Sequence, residues 1–226
     1  MHQIIEKAKK EKRPLLETEA KELLREYGIP VPDFKLIKTE DEIDKITEKF
    51  SYPLTMKIVS PDILHKSDAG GVKLNIQDER EAKLAYQEII FNAKKYNKEA
   101  KISGIIAYSM IPQETEIIIG MMKDPCFGPT IMFGLGGIFV EILKDISFRI
   151  LPLEERDARE MITEIKGYEI LKGARGEPPR DIQAIEEVLM EVSKLTMENP
   201  EINEIDLNPI FVFEKGLQLV DARMIL

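Results

Sequence analysis

Apolar residues return at two different spacings along this chain, and the change of spacing marks its elements. After a short helical segment at the start, Leu16, Ala20, Leu23, Leu24 and Tyr27 recur at helical intervals, and Gly28 follows as a stop. Pro30 and Pro32 prevent the helix from resuming and predict a hinge into the main body. Phe34 to Lys38 alternates like a short strand. Thr39-Glu40-Asp41-Glu42 reads as a capping box, with a helix expected to run on through Ile43, Ile46 and Phe50 until Tyr52-Pro53 breaks it. Leu54 to Val59 and Val72 to Ile76 read as strands, and Asp78 to Tyr96 as a long helix.

The second half is richer in strands: Ile105 to Met110, Glu116 to Met122, Thr130 to Phe133, Ile138 to Ile142 and Ser147 to Ile150. Their short connections imply antiparallel pairing. Helices are expected near 154–164 and 181–198, the latter with Ile182, Ile185, Leu189, Val192 and Leu195 on one face. Two final strands, Ile205 to Phe213 and Leu217 to Ala222, turn at Glu214-Lys215-Gly216. The fold class is α+β, with an N-terminal helical segment (1–30), a smaller lobe (31–104) and a larger lobe (105–226).

Composition narrows the function. At 226 residues and 43% hydrophobic, the chain can bury a sizeable core, and it contains no run of 18 apolar residues. Its early residues are charged, unlike a secretory leader, so a cytoplasmic protein is expected. From Glu154 onward there are 9 basic against 17 acidic residues, which accounts for −8 of the net −9. Such an acidic surface repels a phosphate backbone, so neither nucleic acid nor membrane is an expected partner. One cysteine, Cys126, excludes an internal disulfide, and its lack of a nearby histidine reads it as small buried filler.

Three places carry chemistry. The segment Ser60 to Gly71 lies between two strands and is far longer than a hairpin turn needs; its polar residues and double glycine favour a mobile or ligand-holding loop. It contains His65, the one histidine besides His2. An imidazole there suits proton transfer or transient phosphorylation, or it is a surface residue. Lys57 interrupts an apolar strand just before that loop, and is either a phosphate-reaching point charge or a lysine at the sheet rim. In the last hairpin a turn near Glu214-Lys215 puts Asn208 opposite Asp221, close enough to share one cation such as Mg²⁺; an ordinary Asn-Pro turn is the alternative. Gly134-Leu135-Gly136-Gly137 matches no nucleotide fingerprint, and a tight turn between strands accounts for it.

Taken together, the run Met56 to Val72 with its histidine, Phe127-Gly128-Pro129 with Phe133 to Glu141, and Ile205-Asp206-Leu207-Asn208-Pro209 resemble the ATP-grasp β subunits of the nucleoside-diphosphate-forming acyl-CoA synthetases, ADP-forming acetyl-CoA synthetase among them. A more distant similarity is to succinyl-CoA synthetase β subunits, which share the Asn-Pro hairpin but lack the histidine loop. The resemblance implies an ATP-grasp fold with the nucleotide, ATP or ADP, held between two lobes. It implies that Lys57 contacts phosphates and that Asn208 and Asp221 hold Mg²⁺. The hinge Tyr108-Ser109-Met110 would read adenine through its backbone, with Glu116 near the ribose. His65 corresponds to a phosphorylated histidine that relays phosphate between a histidine of a separate α subunit and ADP, and Asp206 to the acid that orients it. The acyl and CoA sites belong to that α subunit, in an expected α2β2 assembly. A 12-residue loop, with a contour of roughly 40 Å, would let the histidine travel about 20 Å. The alternatives are a succinate–CoA-ligase-like β subunit and a non-catalytic, nucleotide-binding assembly subunit.

Overall fold

The computed structural model describes residues 2–46, 48–174 and 176–226, apart from the side chains of Ile138 and Glu141. Two compact units emerge, one comprising Met1–Val31 with Gln113–Leu226, the other Pro32–Pro112.

Helices α1 (Gln3–Lys10) and α2 (Glu17–Glu26) open the chain. They are not a separate segment: Ile5, Ala8, Ala20, Leu23 and Leu24 are buried in the core of the larger unit, and the Leu15 N–H donates to the Met224 carbonyl (3.1 Å). Arg13 ties the two helices together through Glu19 (2.6 Å). Burial pushes the Glu19 carboxyl up, but hydrogen bonds from Arg13, the Leu16 N–H and Lys7 outweigh it and hold it below the usual carboxylate range. Lys21, fully buried, pairs with Glu17 (2.7 Å) and donates to the Val220 carbonyl (3.0 Å), which fastens α2 beneath the last hairpin.

In the smaller unit, strands β1 (Lys35–Ile37), β2 (Leu54–Val59), β3 (Val72–Ile76) and β4 (Gly104–Ser109) form one antiparallel sheet in the order β1-β4-β2-β3. Strand alternation turns Leu54, Met56 and Ile58 toward Ala82, Ala85, Ile89 and Ala93 of α3 (Glu79–Tyr96), whose N-terminus is capped by the Asp78 side chain. Because β4 pairs with both β1 and β2, the boundary falls at 112/113 rather than at 104. The helix expected through Ile43, Ile46 and Phe50 does not form. A 3-10 turn (Glu40–Glu42) is followed by further turns, with the Ile46 N–H on the Ile43 carbonyl (2.8 Å); Thr47 lies outside the described residues. The Glu42 carboxylate caps the Lys38 N–H (2.7 Å), while the Thr39 side chain caps nothing. Three-residue spacing already buries Ile43 and Ile46 completely, and so short a segment gains little from a continuous helix.

The larger unit is built on β5 (Thr115–Asp124), β6 (Gly128–Leu135), β7 (Ile146–Ile150), β8 (Glu204–Val212), β9 (Leu217–Leu219) and β10 (Ala222–Ile225). All pairs are antiparallel, in the order β10-β8-β5-β6-β7, with β9 also on β8. The strand expected at Ile138 to Ile142 is instead a one-turn helix, α4 (Ile138–Glu141). With α5 (Glu155–Glu164), α6 (Tyr168–Leu171) and α7 (Ile182–Glu198), α1 and α2 complete a helical layer on one face of the sheet. Ile117, Ile119, Met121, Ile131, Phe133, Ile205, Leu207 and Met224 point into that layer, each fully buried residue of this size contributing about 1.5–3 kcal/mol. Among the described residues no helix is long and apolar enough to cross a membrane.

Candidate functional site

In the smaller unit the histidine segment is a built platform. Ile63 and Ala69 are seated in the core, at 2% and 4% exposure. Backbone bonds run from Ala69 N–H to the His65 carbonyl (3.2 Å), from Gly70 N–H to Ser67 (2.9 Å) and from Gly71 N–H to Lys66 (2.8 Å). Asp62 accepts from the Lys101 N–H (2.7 Å), and Asn92 donates to the Gly70 carbonyl (3.2 Å). The double glycine serves close approach, not mobility. Gly70 has φ +62°, and a Cβ on Gly71 would lie 2.5 Å from Ile58 Cγ2. His65 itself is exposed, beside an exposed Leu64.

Lys57 sits mid-strand in β2, buried, on the face opposite α3 together with Thr55 and Val59, its ammonium 5.7 Å from the Tyr108 ring centroid. Ser109 ends β4 opposite Leu54, its hydroxyl 3.5 Å from that of Ser51. The Met110 N–H is already given to the Pro53 carbonyl (2.8 Å), so it is not a donor for a base.

The larger unit contributes the other residues on the sheet face turned away from the helices. Glu116, on β5, lies over the glycine turn: a Cβ on Gly136 would be 2.8 Å from Glu116 Cβ, and the Gly136 N–H donates to the Glu116 carbonyl (2.8 Å). That glycine turn is therefore shaped by Glu116, and it leads into α4. Asp206 stands opposite Gly120 on one side and Arg223 on the other. The pairs Leu207↔Ala222 and Ile210↔Leu219 bracket Asn208, which puts it opposite Asp221. A register shift between Ile117 and Ile119 marks a bulge at Asn208-Pro209. Core positions are odd before it (Ile205, Leu207) and even after it (Ile210, Val212); on the facing strands they switch likewise between Leu217, Leu219 and Ala222, Met224. Both strands change phase at one point, so Asp206, Asn208, Asp221 and Arg223 share the face away from the core. Asn208 is exposed, while Asp221 is half-buried and accepts from the Ala222 N–H (2.9 Å). Among the described residues no three His, Cys, Asp or Glu side chains cluster as a metal site. The Asn208 and Asp221 oxygens are hard donors that suit Mg²⁺, an ion that ordinarily keeps water and phosphate for the rest of its shell.

On the same face, a groove of about 430 Å³ runs past Asp206 between Met122, Phe127, Met132, Phe148 and Arg223. Sequence reasoning missed both the groove and the arginine. Met121 is core while its neighbour Met122 is 58% exposed, and Cys126 is exposed on the hairpin rather than buried. Arg223 was findable: the register that sets Asn208 opposite Asp221 also sets Asp206 opposite Arg223.

A model of the ATP-grasp domain matches residues 7–226. The chain is 57% identical to the β subunit of acetate–CoA ligase [ADP-forming] I of Pyrococcus furiosus, over 99% of this chain and 97% of that one. It superimposes on the dinucleotide-forming acetyl-coenzyme A synthetase 1 of Ca. Korarchaeum cryptofilum, solved with coenzyme A, Ca-AMPCP and HgCl⁺, with a TM-score of 0.95 and 48% identity, covering 98% and 97% of the two chains. A second structure of that enzyme, with coenzyme A and Mg-AMPPCP and its phosphohistidine segment pointing towards the nucleotide binding site, gives 0.85 at 45% identity, covering 99% and 98%.

Proposed function

The chain belongs to the ATP-grasp family of ADP-forming acetate–CoA ligase β subunits, and from that premise we propose that it is the nucleotide-handling subunit of an acid–thiol ligase catalysing acyl-CoA + ADP + phosphate ⇌ acid + ATP + CoA. A separate α subunit supplies the CoA and acyl sites, in an α2β2 complex working in the cytoplasm. His65 carries the phosphoryl group between the α subunit and the nucleotide, and Asp206 orients its ring and stabilises the charge it acquires. Lys57 meets the nucleotide phosphates. Asn208 and Asp221 hold Mg²⁺, which when bound neutralises phosphate charge. Glu116 lies near the ribose. At the hinge, Ser109 and Met110 present backbone; since the Met110 N–H is engaged and Pro112 has none, the Met110 carbonyl and the Ile111 N–H are the groups left for adenine.

The observation that carries this reading is the presentation of His65. Ile63 and Ala69 seat the segment in the core and hydrogen bonds tie its backbone from His65 to Gly71, while the imidazole itself stands exposed to solvent. A structural histidine needs no such platform, whereas a phosphoryl carrier has to be reachable. Incubation with labelled Mg-ATP is expected to leave acid-labile, base-stable label on His65. His65→Ala should keep fold and nucleotide binding near wild type, abolish transfer between the α-subunit phosphate and ADP, and spare the α subunit's own acyl-phosphate step. Wild-type ATP formation by the His65→Ala complex would falsify the relay. Turnover without phosphate on His65 favours a succinate–CoA-ligase-like route, and nucleotide binding with no phosphoenzyme and no effect on any α subunit favours an assembly subunit.

A further inference from the structure

We propose that Arg223 is a catalytic residue of phosphoryl transfer, its guanidinium contacting the phosphoryl group as it moves between nucleotide and imidazole. The inference rests on the function proposed above and adds a residue to it.

Arg223 stands directly opposite Asp206 in the β8–β10 ladder, with its Nη2 on Glu204 and 3.9 Å from Asp206 Oδ2. It is the guanidinium that lines the groove past Asp206. Its side chain is 30% exposed, yet Nε is buried and meets no acceptor among the described residues. A buried guanidinium N–H without an acceptor is costly, and an anionic oxygen arriving in the groove would satisfy it. The two carboxylates engage Nη2 alone, so most of the arginine's five donors remain for a planar, multidentate hold on phosphate.

The spacing along the hairpin favours the same assignment. Asp206–Arg223 and Asn208–Asp221 are neighbouring rows on one face, two residues apart on each strand, roughly 6–7 Å. One phosphoryl group fits against both rows, with the proposed cation site on one side and the guanidinium on the other. In the step assisted, the unprotonated imidazole nitrogen forms a bond to the γ-phosphorus as the bond from that phosphorus to the bridging oxygen breaks. ADP leaves with the electron pair, and the ring keeps its other N–H. Negative charge spreads over the three peripheral oxygens during transfer, which is where a fixed guanidinium stabilises it most. The bland alternative is a strut joining β10 to β8.

The two are separated by pulse-labelling the full-length chain with radioactive Mg-ATP, with ADP affinity and melting temperature measured in parallel. The wild type is expected to acquire base-stable label on His65. Arg223→Met and Arg223→Gln should label at least 100-fold more slowly with ADP affinity within threefold of wild type, and Arg223→Lys should recover at least tenfold over Met. Either neutral variant, folded and labelling within threefold of the wild-type rate, overturns the proposal, as does a loss of rate that only tracks a loss of ADP affinity. Absence of label in the wild type itself overturns instead the phosphoryl-relay function on which the proposal rests.

Discussion

Asn208 and Asp221 show how far one pair of residues depends on its place in a ladder. Each strand switches the parity of its buried positions where the two meet, so a single bulge keeps the amide and the carboxylate on the same face. Without the matched switch, one of them would turn toward the core, because a one-residue slip reverses every side chain beyond it. Asn208→Ala and Asp221→Ala are therefore expected to weaken ADP binding in the presence of Mg²⁺ by about tenfold or more, about 1.4 kcal/mol. Metal-free binding should change by less than threefold. Calorimetric titrations with and without Mg²⁺ make the comparison, and equal losses in both would assign the pair to folding of the hairpin.

The histidine segment is the element whose structure most changes its expected behaviour. A free 12-residue loop would reach about 20 Å, but seating Ile63 and Ala69 leaves only Leu64 to Asp68 between anchors and confines the tip to roughly 10 Å. A longer excursion of the imidazole relative to its own unit has to draw Ile63 or Ala69 from the core. Ile63→Ala is expected to lower the stability of the smaller unit by about 2–4 kcal/mol and to speed hydrogen exchange at Ala69, Gly70 and Gly71, whose N–H groups close the platform. If those amides exchange at the unprotected rate already in the wild type, the segment is a free loop and the anchoring argument fails.

At the scale of the whole molecule, the residues of the proposed chemistry are divided between the two units. The smaller carries His65, Lys57 and the hinge backbone; the larger carries Glu116, Asp206 and the Asn208–Asp221 pair. Neither set contains groups for a thioester or an acyl chain, and the groove beside Asp206 opens among methionine and phenylalanine side chains with one arginine. The pure chain is expected to bind Mg-ATP and form no acyl-CoA from acid, CoA and ATP, with synthesis appearing on addition of an α subunit. A thioester assay on the chain alone, positive above background, would move the acyl site into this subunit.

The periodicities of α2, α3 and α7, the alternation of β2 and the pairing of Asn208 with Asp221 were all legible in the amino-acid sequence, because each depends on spacing within one element or across one tight turn. So was the candidate carrier: a histidine in an overlong segment between two strands is a local feature. The fate of 39–50 and of 138–142 was not legible, since an apolar residue every three or four positions serves a helix, a string of 3-10 turns or a short strand equally until its partner surface is known. The placement of Arg223 beside Asp206, seventeen residues apart in the chain, follows from the same hairpin register as Asn208 opposite Asp221, whereas that of Glu116 over Gly136 came only from the fold. Likewise Gly71 reads as freedom in the sequence and is close packing against Ile58 in the fold. Local propensity and pattern are short-range properties of the chain; which distant side chains share a face is set by strand pairing and burial, and those exist only once the core has formed.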